Sequence, residues 1–282
     1  MKQGNMRIPA FFDPDQTLDC GQSFRWEKTG DIWQGVAFGR SLSLWREGDE
    51  LVLDCSPEEY QQVWSDYFDE STDYPAIQEQ LASFSPVVQE ACRYAGGIRL
   101  LRQDPWEALC SFIISQNNNI PRIKGIIQRM CETLGETSGG KDDVSSTGDS
   151  GKGFLVFPTP QRLAASSLEE LAPLRAGFRA KYLLSAARLV TEGKVRLEEI
   201  PQMELGKARE TLMLIHGVGP KVAECALLYG FHRLEAFPLD VWMKRVMERW
   251  FPQNKPEDFG PYAGVAQQYL FHYIRTNKEE AS

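Results

Sequence analysis

Two side chains in the C-terminal third of the chain could carry a reaction. Lys221 stands in the segment IHGVGPKVAEC at 215–225, straight after Gly217-Val218-Gly219, and opens an apolar run; Asp240 ends the segment FPLD and precedes VWMKRVMERW. That spacing places an amine and a carboxylate where two helices start. A primary amine is a nucleophile only when deprotonated, and at a reference pKa of about 10.4 a lysine is ammonium at neutral pH. The positive end of a helix macrodipole favours the neutral amine, and burial beneath Val218 and Val222 pushes the same way. Bringing the pKa to about 7–8 takes roughly 4 kcal/mol of differential stabilisation, which a partly buried cleft can supply. A carboxylate close to the amine favours the charged form, so the balance rests on the burial geometry of the pair.

Several elements must position that pair. Gly217 and Gly219 lack a Cβ, so their turn can adopt positive φ and let a nucleic-acid backbone come close to its amides. The apolar residues Leu212 to Ile215 before the turn and Val222 to Leu228 after it read as two short packed helices. Together they make a helix-hairpin-helix over residues 205–230, with an anion nest at a helix start. Upstream, SFIISQNNNIPRI at 111–123 puts three asparagines and an arginine after an apolar run that begins near Trp106. Adjacent asparagines are poor helix formers that need partners when buried, so they suit a loop or helix end that reads polar groups. From Gln22 to Asp54 apolar and polar residues alternate in short runs split by turn pairs such as Thr29-Gly30 and Gly48-Asp49, which predicts antiparallel strands. After Pro57 the pattern is helical, with segments that include Asp104 to Ser115, Leu168 to Leu174, Arg179 to Glu192, Val241 to Trp250 and Tyr262 to Ile274. The expected fold class is α+β: an N-terminal antiparallel β-sheet domain with flanking helices at 1–95, then a mostly α-helical two-part body at 96–282. Residues 136–153, rich in serine, glycine and aspartate and without apolar period, predict a mobile surface loop whose acidic residues would point away from DNA.

On GVGPK followed by FPLDV, the chain resembles the helix-hairpin-helix DNA glycosylases with a Gly/Pro-rich loop and an aspartate. CGQSFRW at 20–26, the NNN-x-x-R segment, GFRAKY at 177–182 and AQQYLF at 266–271 resemble, in order, pieces of the 8-oxoguanine DNA glycosylase/AP lyase family. The likeness runs from about Pro9 to Ile274 and is strongest from Trp106 to Lys124 and from Thr211 to Val246. It implies that Lys221 attacks C1′ of the damaged nucleotide and that Asp240 stabilises the positive sugar and assists proton transfer. An enzyme working on a sugar inside a duplex must extrude the nucleotide, fill the gap and hold the orphaned base. The resemblance gives the gap to Asn117, the orphan cytosine to Arg122 and Arg179, and the wedge to Phe178, where the family usually has tyrosine. Arginine forks suit cytosine, whose pairing edge offers O2 and N3 as acceptors. For the flipped base it implies the Gly21 carbonyl, aimed at the N7 hydrogen that separates oxidised guanine from guanine, with Cys225 and Phe271 sandwiching the ring and Gln267 on its pairing edge. Gly217, Gly219 and Trp242 fall at phosphate contacts; Trp242 stands where many relatives have histidine, and its indole N–H can donate but carries no charge. The backbone carbonyls of Met213, Ile215 and Val218 fall where such hairpins hold a structural cation in DNA complexes.

Composition bounds the rest. With 31 Lys and Arg against 39 Asp and Glu, the 282-residue chain has a formal net charge of −8, unusual for a DNA binder because phosphate neutralisation supplies much of the affinity. The expectation is therefore a polarised surface, with local basic faces at Arg175, Arg179 and Lys181 and at Lys244 and Arg245, and modest, salt-sensitive affinity. Cys20, Cys55, Cys92, Cys110, Cys131 and Cys225 form no C-x-x-C pair, and His216, His232 and His272 share no ligand spacing, so no zinc, iron–sulfur cluster or other cofactor is expected. The thiols suit a reducing compartment. The N-terminal segment has no continuous apolar core and no run reaches a membrane span, which predicts an intracellular protein, cytoplasmic and at the nucleoid if bacterial, monomeric, with oxidised double-stranded DNA as partner. Two other functions fit parts of the pattern: a helix-hairpin-helix glycosylase for alkylated or other oxidised bases, and a non-catalytic module that only grips phosphates. Activity across lesion duplexes separates the first, and the effect of Lys221→Gln on binding and on chemistry separates the second.

Overall fold

The computed structural model describes residues 5–137 and 154–277. Five strands, β1 (Met6–Pro9), β2 (Trp26–Thr29), β3 (Ile32–Ala37), β4 (Arg40–Glu47) and β5 (Glu50–Leu53), form one antiparallel sheet in the order β1-β5-β4-β3-β2. β2 to β5 are the meander that the alternation predicts. β1 lies outside the predicted range, because four residues closed by a proline are too few to show a period. In β3 the side chains of Trp33 and Ala37 point inward while Ile32 and Gln34 face solvent, the period of two expected of a one-sided sheet. Gly35 is required there: a Cβ would stand 2.2 Å from the ring of Trp26. Trp26 is fully buried and donates its indole N–H to Tyr67 Oη at 2.7 Å. Around it Trp33, Leu44, Leu53, Trp64 and Phe68 form the smaller of two cores.

Helices make up the rest. α1 (Pro14–Leu18) leads toward the sheet; α2 (Pro57–Glu59) and α3 (Ser65–Tyr67) are joined by a π-helical stretch. α4 (Tyr74–Ala82), α5 (Pro86–Ala95), α6 (Pro105–Ser115), α7 (Ile120–Leu134), α8 (Pro160–Ala164), α9 (Arg179–Thr191), α10 (Leu205–Met213), α11 (Pro220–Gly230), α12 (Val241–Trp250) and α13 (Ala263–Thr276) follow. From α4 to α8 each start repeats one device: Asp73, Ser85, Asp104, Asn119 and Thr159 accept a backbone N–H from the first turn, with a proline just inside, where its missing donor costs nothing. The segment from Leu168 to Leu174, predicted as a helix, is instead a turn and one short 3-10 helix at Ala172–Leu174. Pro173 cannot extend a hydrogen-bonded α-helix, and Arg175 ends the stretch in the left-handed region at φ 54°.

α6 is buried from Ala108 to Ile114 and packs on α11, which is buried from Val222 to Gly230. Their contact is close, since a Cβ on Gly230 would come 2.9 Å from Ala108 Cβ. These helices, together with α4, α5, α7, α9 and α13, enclose the larger core, which also takes Cys20 and Phe24 from the chain before β2. The mobile loop predicted at 136–153 falls, from residue 138, outside the described residues. Its flanks meet: Thr137 bridges Leu155, and the Val156 amide donates to the Glu136 carbonyl at 2.8 Å. Among the described residues no helix is long and apolar enough to cross a membrane.

Candidate active site and DNA face

α11 begins at the hairpin turn and sets the lysine. Gly217 has φ +85°, and a Cβ on it would strike the Tyr182 ring at 2.2 Å. Only glycine fits both demands. Gly219 differs from the expectation: it is extended (φ −94°) and caps α11 with no side chain, and a Cβ there would meet nothing within 4 Å. One glycine is thus needed by the protein itself, while the other borders open space. The Val218 amide donates to Ile215 O at 2.9 Å, while the Gly217 and Gly219 amides have no partner among the described residues. They are unspent donors at a helix start. The Ile215 carbonyl, one of three predicted to face a cation, already accepts one hydrogen bond and keeps a second lone pair. Among the described residues no group of three His, Cys, Asp or Glu side chains could hold a metal ion.

Lys221, half-buried on the first turn of α11, lies with its Nζ 5.7 Å from the ring centroid of Phe112 on α6. Phe112 stacks on Tyr229 at 5.1 Å and meets Phe24 edge-on, so the amine has an aromatic floor. One turn along, Cys225 is buried, and burial pushes its thiol up to about 11, the neighbouring Lys221 amine opposing the rise. Its thiol therefore stays protonated at neutral pH. Asp240 caps α12 by accepting the Met243 amide at 2.8 Å, and it makes no ion pair with Lys221 among the described residues. Glu224 on α11, 7% exposed, ties that helix to the segment that leads to Asp240. Glu224 accepts the Phe237 amide at 2.8 Å, three residues before Asp240, and also takes a short hydrogen bond from Arg209 Nε on α10. Sequence reading missed this carboxylate because a glutamate inside a helix ordinarily faces water.

Gly21, Gln267 and Phe271 stand on other elements. Gly21 has φ +89° and lies beside Ile120 and Arg275. Its loop is pinned by buried Gln22, whose Nε2 donates to Thr17 O at 2.9 Å and Arg99 O at 2.8 Å while its Oε1 accepts the Leu101 amide at 2.9 Å. Gln22 is a second positioning residue that the sequence alone left unmarked. Tyr229 of α11 donates to Oε1 of Gln268 on α13 at 2.6 Å and lies 3.4 Å from Gln267 Oε1, and Gln268 Nε2 reaches Cys20 O at 3.5 Å. The Gln267 amide nitrogen has no partner among the described residues. Phe271 is half-buried one turn farther along. Burial, with Cys225, Cys20 and Asp240 as electrostatic neighbours, holds the Tyr229 phenol well above its usual value. Tyr229 is thus a buried link from α11, which carries Lys221, to α13, and Gln268 carries that link on to Cys20 beside Gly21.

Asn117, Arg122, Phe178 and Arg179 form a second group at the ends of α6, α7 and α9. The triple asparagine divides its work. Asn119 caps α7, the Asn118 side chain donates to Ile114 O at 2.8 Å, and Asn117 is exposed at φ 51° with its amide free among the described residues. Arg179 is 4% exposed; its Nε donates to Gln116 O at 2.7 Å, Nη2 bonds the same carbonyl, and Nη1 reaches Ala176 O at 3.2 Å. That uses three of its five N–H groups and leaves two. Burial and the nearby Arg122 hold its pKa below the usual arginine value. Phe178 is 50% exposed with its ring 4.4 Å from the Arg179 guanidinium. Tyr182 links both regions, meeting Phe178 at 5.5 Å on one side and His216 of the hairpin at 5.0 Å on the other. Trp242, on the first turn of α12, is 36% exposed, and Arg245 lies over its ring at 5.4 Å. The charge that an indole cannot carry is therefore supplied next to it.

A sheet-flanked helical body with a lysine and an aspartate at two helix starts, and a glycine hairpin offering free amides, defines a helix-hairpin-helix base-excision enzyme. The family comparison makes this specific. Residues 110–258 match the HhH-GPD superfamily of base excision DNA repair proteins, and residues 6–109 match the 8-oxoguanine DNA glycosylase N-terminal domain. The chain belongs to the 8-oxoguanine DNA glycosylase family within the HhH-GPD superfamily. It is 31% identical over 283 residues to the N-glycosylase/DNA lyase OGG1 of Arabidopsis thaliana, covering 90% of this chain and 75% of that protein. Against the N-glycosylase/DNA lyase of Saccharomyces cerevisiae it is 39% identical, covering 54% of this chain and 42% of the relative. The crystal structure of Clostridium acetobutylicum 8-oxoguanine glycosylase/lyase bound to DNA with cytosine opposite 8-oxoguanine superposes with a TM-score of 0.85 at 33% identity, covering 99% of this chain and 100% of that one.

Proposed function

We propose that this protein is a bifunctional DNA glycosylase and apurinic/apyrimidinic lyase that removes 8-oxoguanine opposite cytosine. The observation that carries the reading is Lys221 at the start of α11 over an aromatic floor whose Tyr229 is tied through Gln268 to Cys20 beside Gly21. The Lys221 Nζ lone pair forms a bond to C1′ as the glycosidic C–N bond breaks, and the base leaves with that electron pair and takes up a proton. The sugar ring opens to a Schiff base on Nζ. Loss of a C2′ proton then expels the 3′ phosphate by β-elimination and cuts the strand. Asp240 offsets the positive charge at the sugar. Gly21 presents its carbonyl to the N7 hydrogen of the oxidised base, Gln267 meets the pairing edge, and Cys225 and Phe271 close on the two faces. Asn117 fills the gap, Phe178 wedges the base step, and Arg122 with the two remaining donors of Arg179 reads the orphan cytosine. The Gly217 and Gly219 amides and the Trp242–Arg245 pair take phosphates, and the Met213, Ile215 and Val218 carbonyls a structural cation when DNA binds. The enzyme acts where the chromosome lies, in the cytoplasm at the nucleoid if the source is bacterial.

The test is a duplex with 8-oxoguanine opposite cytosine, incubated with and without borohydride and the adduct mapped. An adduct on Lys221 is expected. Base release without trapping overturns the lysine mechanism, and excision of an alkylated base with 8-oxoguanine untouched overturns the substrate.

A further inference from the structure

Beside the wedge lies a groove of about 460 Å³ lined by Leu168, Leu171, Ala172, Arg175, Ala180 and Lys181. Two cations and no carboxylate line it, in a chain whose net charge is −8. Neither Arg175 nor Lys181 makes an ion pair among the described residues. The carboxylates of the preceding turn have partners of their own: Glu170 Oε2 accepts the Ser167 amide at 2.8 Å, and Glu169 is held by Ser167 and its own backbone. Arg175 is exposed and sits at φ 54°, a conformation unfavourable to a side chain with a Cβ and one that glycine takes freely. Leu168 is 40% exposed on the rim, apolar surface of the kind a deoxyribose covers.

We infer that this groove binds the phosphodiester backbone of the strand that carries the orphan base, with Arg175 and Lys181 each taking a phosphate. The inference rests on the proposed function for one thing, that Phe178 and Arg179 face the orphan base. The groove's lining runs on through Ala176 and Gly177 to Phe178 and Arg179, so a strand whose orphan base reaches those two side chains lays its backbone along the groove. Charge complementarity and continuity with that contact select DNA over an apolar partner.

The test measures binding to a duplex with a stable abasic analogue opposite cytosine, for the wild type and for Arg175→Gly with Lys181→Gln. Glycine at 175 keeps the left-handed backbone, and unchanged thermal denaturation of the double variant checks the fold. Two lost phosphate contacts lower the slope of log K against log salt by about 2. Neutral methylphosphonates then distinguish the strands. Placed on the orphan strand, they weaken the wild type and weaken the double variant no further. If instead the variant is insensitive to neutral linkages in the lesion strand, or binds with the wild-type salt slope, the inference is wrong. Because the analogue cannot be excised, a wild type that binds it in this way yet excises no 8-oxoguanine refutes the proposed function and leaves the groove standing.

Discussion

At the scale of single residues, the hairpin glycines divide structure from binding. Gly217→Ala puts a Cβ 2.2 Å from Tyr182 in a backbone with φ +85°, and it should destabilise the fold by roughly 2–4 kcal/mol. Gly219→Ala meets nothing within 4 Å and has an ordinary φ, so its melting temperature should stay at the wild-type value while duplex affinity falls at least about fivefold as the added methyl holds the phosphate off. Thermal denaturation and fluorescence anisotropy on the two variants check this, and a Gly219→Ala enzyme that binds DNA normally would show that the free amides are not used. Lys221→Gln should lose all borohydride trapping and base excision while holding lesion DNA, because the proposed mechanism makes the amine the bond-forming atom and puts the phosphate contacts on other residues. Residual excision in that variant would assign the attack to water.

At the scale of elements, two buried carboxyl groups set how helices meet. Glu224 joins α11, α10 and the segment leading to Asp240. Glu224→Ala strands the Phe237 amide and Arg209 and should cost about 3 kcal/mol. It should also slow excision per folded molecule by tenfold or more as Asp240 drifts, and a variant that is merely less stable, with wild-type single-turnover excision, would reduce Glu224 to a structural tie. Glu107, on the first turn of α6, lies 3.5 Å from Arg25 and is 14% exposed. Burial pushes its carboxyl up to about 7, with Arg25 opposing the rise. The folded protein thus keeps a proton that the unfolded chain releases near 4.5, so the native state binds more protons between those values. Stability is at its fullest below about 4.5 and falls as pH rises toward 7, by up to about 3 kcal/mol from this group. Glu107→Gln should flatten that slope in denaturant titrations run across the window; an unchanged slope would mean the carboxyl is ionised in the fold.

At the scale of the whole molecule, an acidic chain binds a polyanion by concentrating its basic groups. Arg122, Arg175, Lys181 and Arg245 border the wedge, the groove and the start of α12, and none of them makes an ion pair among the described residues. If four such contacts form, raising salt from about 50 to about 200 mM should weaken duplex binding roughly a hundredfold. A flat response in a filter-binding or anisotropy titration would mean that phosphate neutralisation is not the main source of affinity. Packing at this scale also brings α13 onto the helix that carries Lys221. Gly264 admits α13 against α11 and the segment before Asp240, since a Cβ there would strike Leu228 at 2.3 Å and the Ala236 carbonyl at 2.6 Å.

The sequence by itself determined the antiparallel meander, most helix starts and the placement of Lys221 and Asp240 at two of those starts, because period, capping residues and a glycine turn act over a few neighbouring positions. It failed at Leu168 to Leu174, where apolar spacing suggested a helix that Pro173 and the left-handed Arg175 prevent, and at β1, too short to carry a period. Tertiary structure alone decided which glycine is obligatory, since Tyr182 presses on Gly217 from a helix more than thirty residues earlier. It also decided that Glu224 and Gln22 are tethers and that Arg245 lends its charge to Trp242. Those roles depend on which distant surface each side chain meets, and that is settled only when the helices pack.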